Sequence, residues 1–157
     1  MIVVIGGGVV GLAIAHEVGA RGHAVCVLER HPRVGQETST HNSGVIHAGL
    51  YYPPGTLKAT LCVEGRERLY AFCRTQGVSY VACGKLIVGA EGEEADLDRL
   101  VATAAANGAR LQPVDRAFAR AREPHVAAAH ALWSPDTGWV EAESLLDRKS
   151  TRLNSSH

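Results

Sequence analysis

Two short apolar runs with a helical pattern between them open the chain. Ile2 to Ile5 is uninterrupted apolar sequence, which is typical of a strand buried on both faces of a parallel sheet. Ala24 to Leu28 is a second such run. Between them, Val9 to Ala20 keeps apolar residues at helical spacing, and Gly22 can end the helix. The pattern predicts a strand, a helix and a second, parallel strand.

Helical spacing returns after the break at positions 53–55. Thr56 is a suitable N-cap for a long helix that ends near Thr75, with Gly77 just beyond it. The apolar residues expected to share its buried face are Leu57, Leu61, Leu69, Phe72 and Cys73. The arginines expected on its solvated face are Arg66, Arg68 and Arg74.

The remaining pattern predicts four strands, two helices and one helical turn. The strands are expected at 78–82, 85–90, 131–134 and 139–141, the last two joined by a PDTG turn. One helix is expected at 93–106. Asp115 is placed to cap another, which should end before Pro124. Residues 42–47 predict a short helical turn.

Composition narrows the function classes. The 157 residues carry 16 basic and 16 acidic side chains and no basic run, so nucleic-acid binding is not implied. No apolar stretch is long enough to span a membrane, and the apolar N-terminus is interpreted as a strand rather than a signal peptide. The widely spaced cysteines argue against a zinc site and favour a reduced, intracellular chain. They are Cys26, Cys62, Cys73 and Cys83.

The last segment, DRKSTRLNSSH at 147–157, differs from the rest of the chain. It is polar, lacks periodicity and interrupts the helix that VEAESLL begins. It resembles a translated sequencing adapter, so we expect a non-native tail; a disordered natural C-terminus is the alternative. Without it the basic residues fall from 16 to 13 and the acidic ones from 16 to 15, a net charge of −2.

Three glycines follow the first strand at the spacing GxGxxG. Gly6 permits a tight turn, Gly8 lets the backbone approach a pyrophosphate, and Gly11 lets the next helix pack closely. The helix N-terminus offers free N–H groups to phosphates. Glu29 ends the second strand, where a carboxylate accepts from both ribose hydroxyls and repels a 2′-phosphate. The pattern predicts a site for FAD or NAD rather than NADP; the alternative is a glycine-rich turn in an unrelated α/β protein.

A second polar and glycine-rich stretch, HNSGVIHAGLYY, begins at position 41. Asn42 and Ser43 can donate hydrogen bonds to a phosphate or to a flavin carbonyl. Gly44 and Gly49 let the backbone approach a flat ligand. These residues are therefore candidates for contact with a bound cofactor.

The chain resembles the FAD-dependent oxidoreductases of the D-amino-acid oxidase superfamily, and within it the L-2-hydroxyglutarate oxidase/dehydrogenase branch. The strings that carry the likeness are VIGGGVVGLAIAHEV, VLER, HNSGVIHAGLYYPPGTLKATLCVEG, CGKLIVG, EPHV and PDTGWVE. The resemblance covers Met1 to about Leu146. It implies an α/β fold with an incomplete, Rossmann-like FAD-binding domain at 1–77 and the start of a mixed-sheet substrate domain at 78–146. Because such enzymes are considerably longer, we expect this chain not to turn over substrate by itself.

The resemblance also implies a chemistry, the oxidation of a 2-hydroxy acid, with L-2-hydroxyglutarate the expected substrate. FAD is the implied cofactor, and Arg30 in VLER joins its expected ligands. A base that works near neutral pH favours histidine. His47 is the first candidate and His41 the second; alternatively, His47 only hydrogen-bonds the flavin or the backbone.

Several alternatives stay open on the sequence alone. The electron acceptor is oxygen or a quinone, and a bacterial protein in the cytoplasm is expected, with peripheral association at the inner face of the plasma membrane left open. The competing functions are a glycerol-3-phosphate dehydrogenase, an amine or amino-acid oxidase, an NAD-dependent dehydrogenase and a non-enzymatic dinucleotide-binding fragment.

Overall fold

The structure, a computed structural model, describes residues 1–154 of the chain. Its helices are α1 Val9–Ala20, α2 Leu57–Gln76, α3 Glu94–Ala106, α4 Arg116–Arg122 and α5 Ala142–Asn154. Its strands are β1 Ile2–Ile5, β2 Val25–Leu28, β3 Val45–Ile46, β4 Tyr80–Val81, β5 Lys85–Gly89, β6 Gln112–Val114, β7 His130–Ser134 and β8 Gly138–Val140.

The chain divides into two compact units, each assembled from separate stretches. The first unit comprises Met1–Gly44, Phe72–Tyr80 and the chain from Val140 onward. The second comprises Val45–Ala71 and Val81–Trp139. The sequence predicted one boundary, between positions 77 and 78, and the assignment of cofactor and substrate domains to 1–77 and 78–146 stays a prediction.

The first unit contains a parallel pair of strands with helix α1 packed against it. β1 and β2 pair in register from Ile2 with Val25 to Ile5 with Leu28. Leu12 of α1 is buried, and the helix contacts both strands and α5. Burial of β1 on both faces was a wrong prediction, since Ile5 is 87% exposed. Within residues 1–154 this sheet has only these two strands, so little covers them.

The second unit contains an antiparallel sheet with strand order β5-β7-β6. Lys85 of β5 lies opposite Ser134 of β7, and Gln112 of β6 lies opposite Trp133. The sequence did not predict β6, because Pro113 lacks a backbone N–H and weakens a strand pattern. Proline is tolerated in an edge strand such as this one.

A second three-stranded sheet has the order β3-β8-β4. Val45 of β3 pairs with Trp139 of β8, and Ile46 pairs with Gly138, in antiparallel register. The helical turn predicted at 42–47 is therefore wrong. Adjacent β-branched residues favour an extended backbone once a partner strand is present.

Helix α2 begins after the predicted cap, with Thr56 Oγ1 accepting from the backbone N–H of Ala59 at 3.3 Å. Its most buried residues are Ala59, Arg66 and Cys73, which are spaced seven apart and so lie along one line of the helix. Leu61, predicted to be buried, is 55% exposed. The solvated position predicted for Arg66 is also wrong, since that residue is 7% exposed.

The C-terminal helix α5 runs past the predicted end of the natural sequence. Leu145 and Leu146 are buried, and the helix continues to Asn154. The expectation that 147–157 interrupts a helix is therefore wrong as far as residue 154, because most of its residues tolerate helical backbone. Positions 155–157 lie outside the described residues, and the non-native origin of this segment stays a prediction. No helix in the described chain combines the length and apolarity needed to cross a membrane.

Candidate cofactor-binding site

The turn between β1 and α1 has the backbone that the glycine spacing predicts. Gly6 has φ +102°, a conformation that disfavours side chains. A Cβ on Gly11 would overlap the carbonyl oxygen of Gly6, so the helix packs against the turn at backbone distance. A Cβ on Gly8 would lie 3.0 Å from Ser39 Oγ. That hydroxyl accepts from the backbone N–H of Val9 at 3.0 Å, which ties the following loop to the start of α1.

Glu29 follows β2 directly, as predicted, and its carboxylate faces the glycine turn. Its Oε2 accepts from the backbone N–H of Gly7 at 2.7 Å, and its Oε1 accepts from that of His31 at 3.0 Å. These hydrogen bonds lower the pKa of Glu29, the one from His31 most. The group therefore stays ionised at neutral pH. A carboxylate has about four acceptor positions, so Glu29 can also accept from a hydroxyl donor.

Three charged or polar side chains meet beyond the end of β2. The carboxylate of Glu37 accepts from the guanidinium of Arg30 and lies 2.7 Å from Nε2 of His31. Hydrogen bonds from His31 and then Arg30 lower the pKa of Glu37 to about 2. This exposed ionic cluster thus connects the loop after β2 to the end of the strand. The ion pair with Glu37 also orients the side chain of Arg30.

An open pocket of about 410 Å³ lies where these groups converge. Its lining includes the predicted residues Gly6, Gly8, Glu29 and Arg30. The lining residues that the sequence did not single out are Ile5, Leu28, His31, Gly35, Gln36, Glu37, Thr38 and Ser39. The signal that could have found His31 and Glu37 is their place in the polar connection just after the acid that ends β2.

The other predicted cofactor ligands do not line this pocket. Asn42 uses its amide within its own loop, donating to the carbonyls of Thr38 and Ser39 and accepting from the N–H of Gly44. Ser43 is exposed, and Gly44 is buried with φ +66°. Their roles in cofactor binding stay predictions.

Both candidate bases have exposed side chains. His47 follows β3 in the second unit, and its carbonyl accepts from Sγ of Cys62 at 3.4 Å. His41 belongs to the first unit, where its Nδ1 lies 2.7 Å from the carbonyl of Glu37. His47 therefore belongs to the second unit, whereas the residues that line the pocket belong to the first.

The pocket suits one end of a dinucleotide on the evidence of its own residues. Gly6 leaves open space where a side chain would stand, since a Cβ there meets nothing within 4 Å. An ionised carboxylate at the strand end accepts from vicinal hydroxyls, and the apolar side chains of Ile5 and Leu28 offer surface to a flat ring. This set of groups fits the adenosine half of FAD.

The whole-chain comparisons agree with this geometry. A model of the family described as FAD dependent oxidoreductase (DAO) matches residues 1–148. Among curated relatives, "L-2-hydroxyglutarate dehydrogenase, mitochondrial" of Nematostella vectensis is 42% identical over 89% of this chain and 32% of its own length. The protein of the same name from Caenorhabditis elegans is 44% identical over 89% of this chain and 33% of its own. The chain thus spans about a third of these relatives.

Two solved structures superimpose on nearly the whole chain. Glycine oxidase from Geobacillus kaustophilus gives a TM-score of 0.85 at 25% identity and covers 98% of this chain and 44% of its own. L-alpha-glycerophosphate oxidase from Mycoplasma pneumoniae with FAD bound gives the same score and identity, covering 98% and 42%. The incomplete α/β fold predicted from the sequence is confirmed. The chain belongs to the family of FAD-dependent oxidoreductases, whose cofactor is FAD.

Proposed function

We propose that the whole protein containing this chain oxidises a 2-hydroxy acid, L-2-hydroxyglutarate, to the corresponding 2-oxo acid. The curated relatives that bear this activity in their names are 38–44% identical over most of the chain. The solved structures named for glycine and for L-alpha-glycerophosphate are 25% identical. The higher identity favours the 2-hydroxy acid over those two substrates.

The observation that carries the cofactor half of this proposal is the ionised Glu29 facing the glycine turn. In this proposal the carboxylate of Glu29 would accept from the ribose hydroxyls of the adenosine. The backbone at Gly8 would contact the pyrophosphate, and the N-terminus of α1 would stabilise its negative charge. Gly11 brings the helix close enough to the turn for that contact.

Bound FAD would supply the acceptor for the hydrogen on the substrate α-carbon, which leaves as a hydride with its electron pair. The alcohol also loses its hydroxyl proton, and the carbon–oxygen bond becomes a carbonyl. We assign that proton to His47, whose exposed imidazole follows β3 in the segment that carries the branch resemblance. His41 is the second candidate for the same proton.

Substrate identity is tested on the FAD-loaded enzyme with a dye as electron acceptor. L-2-hydroxyglutarate, glycerol 3-phosphate and glycine are compared by kcat/KM. Reduction with L-2-hydroxyglutarate at least about a hundredfold above the others is expected, because a site built for a dicarboxylate leaves charges unpaired with the other two. A preference for glycerol 3-phosphate or glycine contradicts the proposal.

The base assignment is tested with a matched pair of variants, His47→Gln and His41→Gln. Turnover per bound flavin should fall about a hundredfold or more in the first and stay within twofold in the second. FAD occupancy is measured by absorbance in both. The reverse result assigns the proton to His41, and unchanged turnover in both makes neither histidine the base.

We also propose a cytoplasmic protein that passes electrons to oxygen or a quinone, with peripheral membrane association as the case that a quinone acceptor favours. A bacterial source is also only a proposal. The curated relatives named above are eukaryotic and do not support it. Comparing stopped-flow oxidation of the reduced enzyme by oxygen and by a soluble quinone separates the two acceptors.

A further inference from the structure

The backbone at positions 47–52 is irregular, and its residues 48–50 are buried. It follows β3 and contains neither helix nor strand. Ala48 and Leu50 are each 2% exposed and belong to a small apolar cluster with Ala104 of α3. Buried carbonyls need hydrogen-bond partners, and this segment has no strand ladder to supply them, so side chains of other elements are the partners to look for.

Four carbonyls of this segment accept from three side chains distant in sequence. Cys62 Sγ donates to the carbonyl of His47 at 3.4 Å, and Arg66 Nη1 donates to that of Ala48 at 3.2 Å. Asn107 Nδ2 donates to the carbonyl of Gly49 at 2.9 Å and to that of Tyr52 at 2.8 Å. Helix α2 thus holds the beginning of the segment, and the end of α3 holds the rest.

Asn107 has two roles at the end of α3. Its backbone N–H donates to the carbonyls of Thr103 and Ala104, which closes the helix. Its side-chain nitrogen bridges two carbonyls three residues apart, and only the nitrogen of the amide can donate to them. The amide oxygen is buried, without a hydrogen-bond partner in the described part of the chain. The amide orientation is therefore determined by segment 47–52.

We propose that Asn107 is a positioning residue for the reaction: it holds segment 47–52 in the conformation that directs the imidazole of His47. This inference rests on the proposed role of His47 as base. Asn107 does not touch the substrate in this view. It acts through the backbone. Strand β3 holds the chain before His47, and the hydrogen bonds from Asn107 hold the chain after it, at Gly49 and Tyr52.

The test substitutes the donor without changing the size of the side chain. Asn107→Asp replaces the bridging nitrogen with an oxygen that faces two carbonyl oxygens. Thr103→Ala is the matched control, because the Thr103 hydroxyl donates only to the carbonyl of Arg99 in its own helix. Both variants are measured in the FAD-loaded enzyme for kcat, KM and FAD occupancy, and by hydrogen exchange of the amides at 49–52.

The expected result for Asn107→Asp is a kcat about tenfold to a hundredfold lower, the size of a small misplacement of a reacting group. KM and FAD occupancy should stay within twofold, and exchange at 49–52 should rise. Thr103→Ala should leave kcat, KM, FAD occupancy and the exchange rates unchanged. In a His47→Gln background, Asn107→Asp should lower kcat no further.

Two results would overturn this role. One is an unchanged kcat in Asn107→Asp. The other is a loss of kcat that is as large in the His47→Gln background as in the parent, which would mean that Asn107 does not act through His47. If His47→Gln alone leaves turnover unchanged, the proposed base fails instead. Hydrogen exchange then still decides whether Asn107 holds the segment.

Discussion

The two units differ in how far along the chain their key contacts reach. In the first, helix α1 and the four-residue strand β2 join the glycine turn to the acid that it faces, and Gly7 and Glu29 are 22 positions apart. In the second, Asn107 holds the irregular backbone after His47 from 58 positions beyond Gly49, and Arg66 donates to Asp136, 70 positions away. A local βαβ geometry is specified by a short motif, whereas the second arrangement needs the packing of two helices.

A second difference lies in burial. The strands of the first unit expose apolar side chains, with Val3 48% and Leu28 53% exposed. The second unit buries a charged pair instead, in which Asp136 accepts from the buried Arg66 and also from the exposed Arg110. The glycine turn of the first unit therefore depends on backbone shape, whereas the segment at 47–52 in the second unit depends on specific side chains.

The largest effect that would sharpen this contrast is expected from Arg66→Ala. Removing this guanidinium leaves the Ala48 carbonyl without its donor and takes one partner from Asp136, at a cost of about 3 kcal/mol of unfolding free energy. Arg68→Ala is the control, because Arg68 is 83% exposed and should cost less than about 0.5 kcal/mol. Urea unfolding measures both. Equal losses of unfolding free energy in the two variants would contradict the structural role that we assign to Arg66.

Next is Gly11→Ala, which tests whether the first unit depends on close backbone approach. The added methyl group would overlap the Gly6 carbonyl, so we expect a loss of about 1–3 kcal/mol in unfolding free energy. Gly19 lies in the same helix with open space around it. Gly19→Ala should therefore raise the unfolding free energy by roughly 0.5–1 kcal/mol. Loss of stability in both variants would point to a general effect of alanine in α1.

A smaller effect is expected for Glu29→Ala, measured as FAD affinity by flavin fluorescence titration. Loss of a charged acceptor should weaken binding roughly tenfold to a hundredfold. Glu17→Ala removes an exposed carboxylate of the same unit that pairs with Arg21, and it should leave the affinity unchanged. If Glu29→Ala binds FAD as tightly as the parent protein does, Glu29 does not contribute to cofactor binding.

The smallest effect concerns the ionic cluster beside the pocket. The pKa of Glu37 is about 2 in the folded chain, against 4.5 for the free group, because His31 and Arg30 hydrogen-bond its carboxylate. A lowered pKa means that the stabilisation is complete above pH 4.5 and is lost as the pH falls towards 2. Carboxyl NMR titration checks the value, and Glu37→Gln should remove this part of the acid dependence. A midpoint near 4.5 would show that the cluster does not form.

Much of the first unit was predicted because its signals are local. The bounds predicted for β1 and α1 match the observed Ile2–Ile5 and Val9–Ala20, and Glu29 follows β2 as expected. Helix caps were equally predictable: Asp115 Oδ1 accepts from the N–H of Phe118 at 2.7 Å at the start of α4. Each of these depends on residues a few positions apart.

The predictions that were wrong concern residues whose burial depends on partners distant in the sequence. The apolar count favoured a buried face through Leu57 and Leu61, yet the line through Ala59, Arg66 and Cys73 is the one that packs. An alternative was visible in the sequence, since small residues at 59, 62 and 73 share that line. Arginine at its centre masked it, because a charged residue is buried only when acceptors from elsewhere in the chain meet it.

The sequence by itself determined the glycine turn, the acid that faces it, the dinucleotide class of ligand and most helix bounds. These follow from steric limits on the backbone and from capping within single turns, which act wherever the chain goes. Tertiary structure alone decided that Val45–Ile46 is a strand, that proline-containing β6 pairs at an edge, and that Arg66 and Asn107 hold the backbone after His47. Those outcomes depend on which carbonyls remain buried and unpaired once the helices pack, and no local pattern records that.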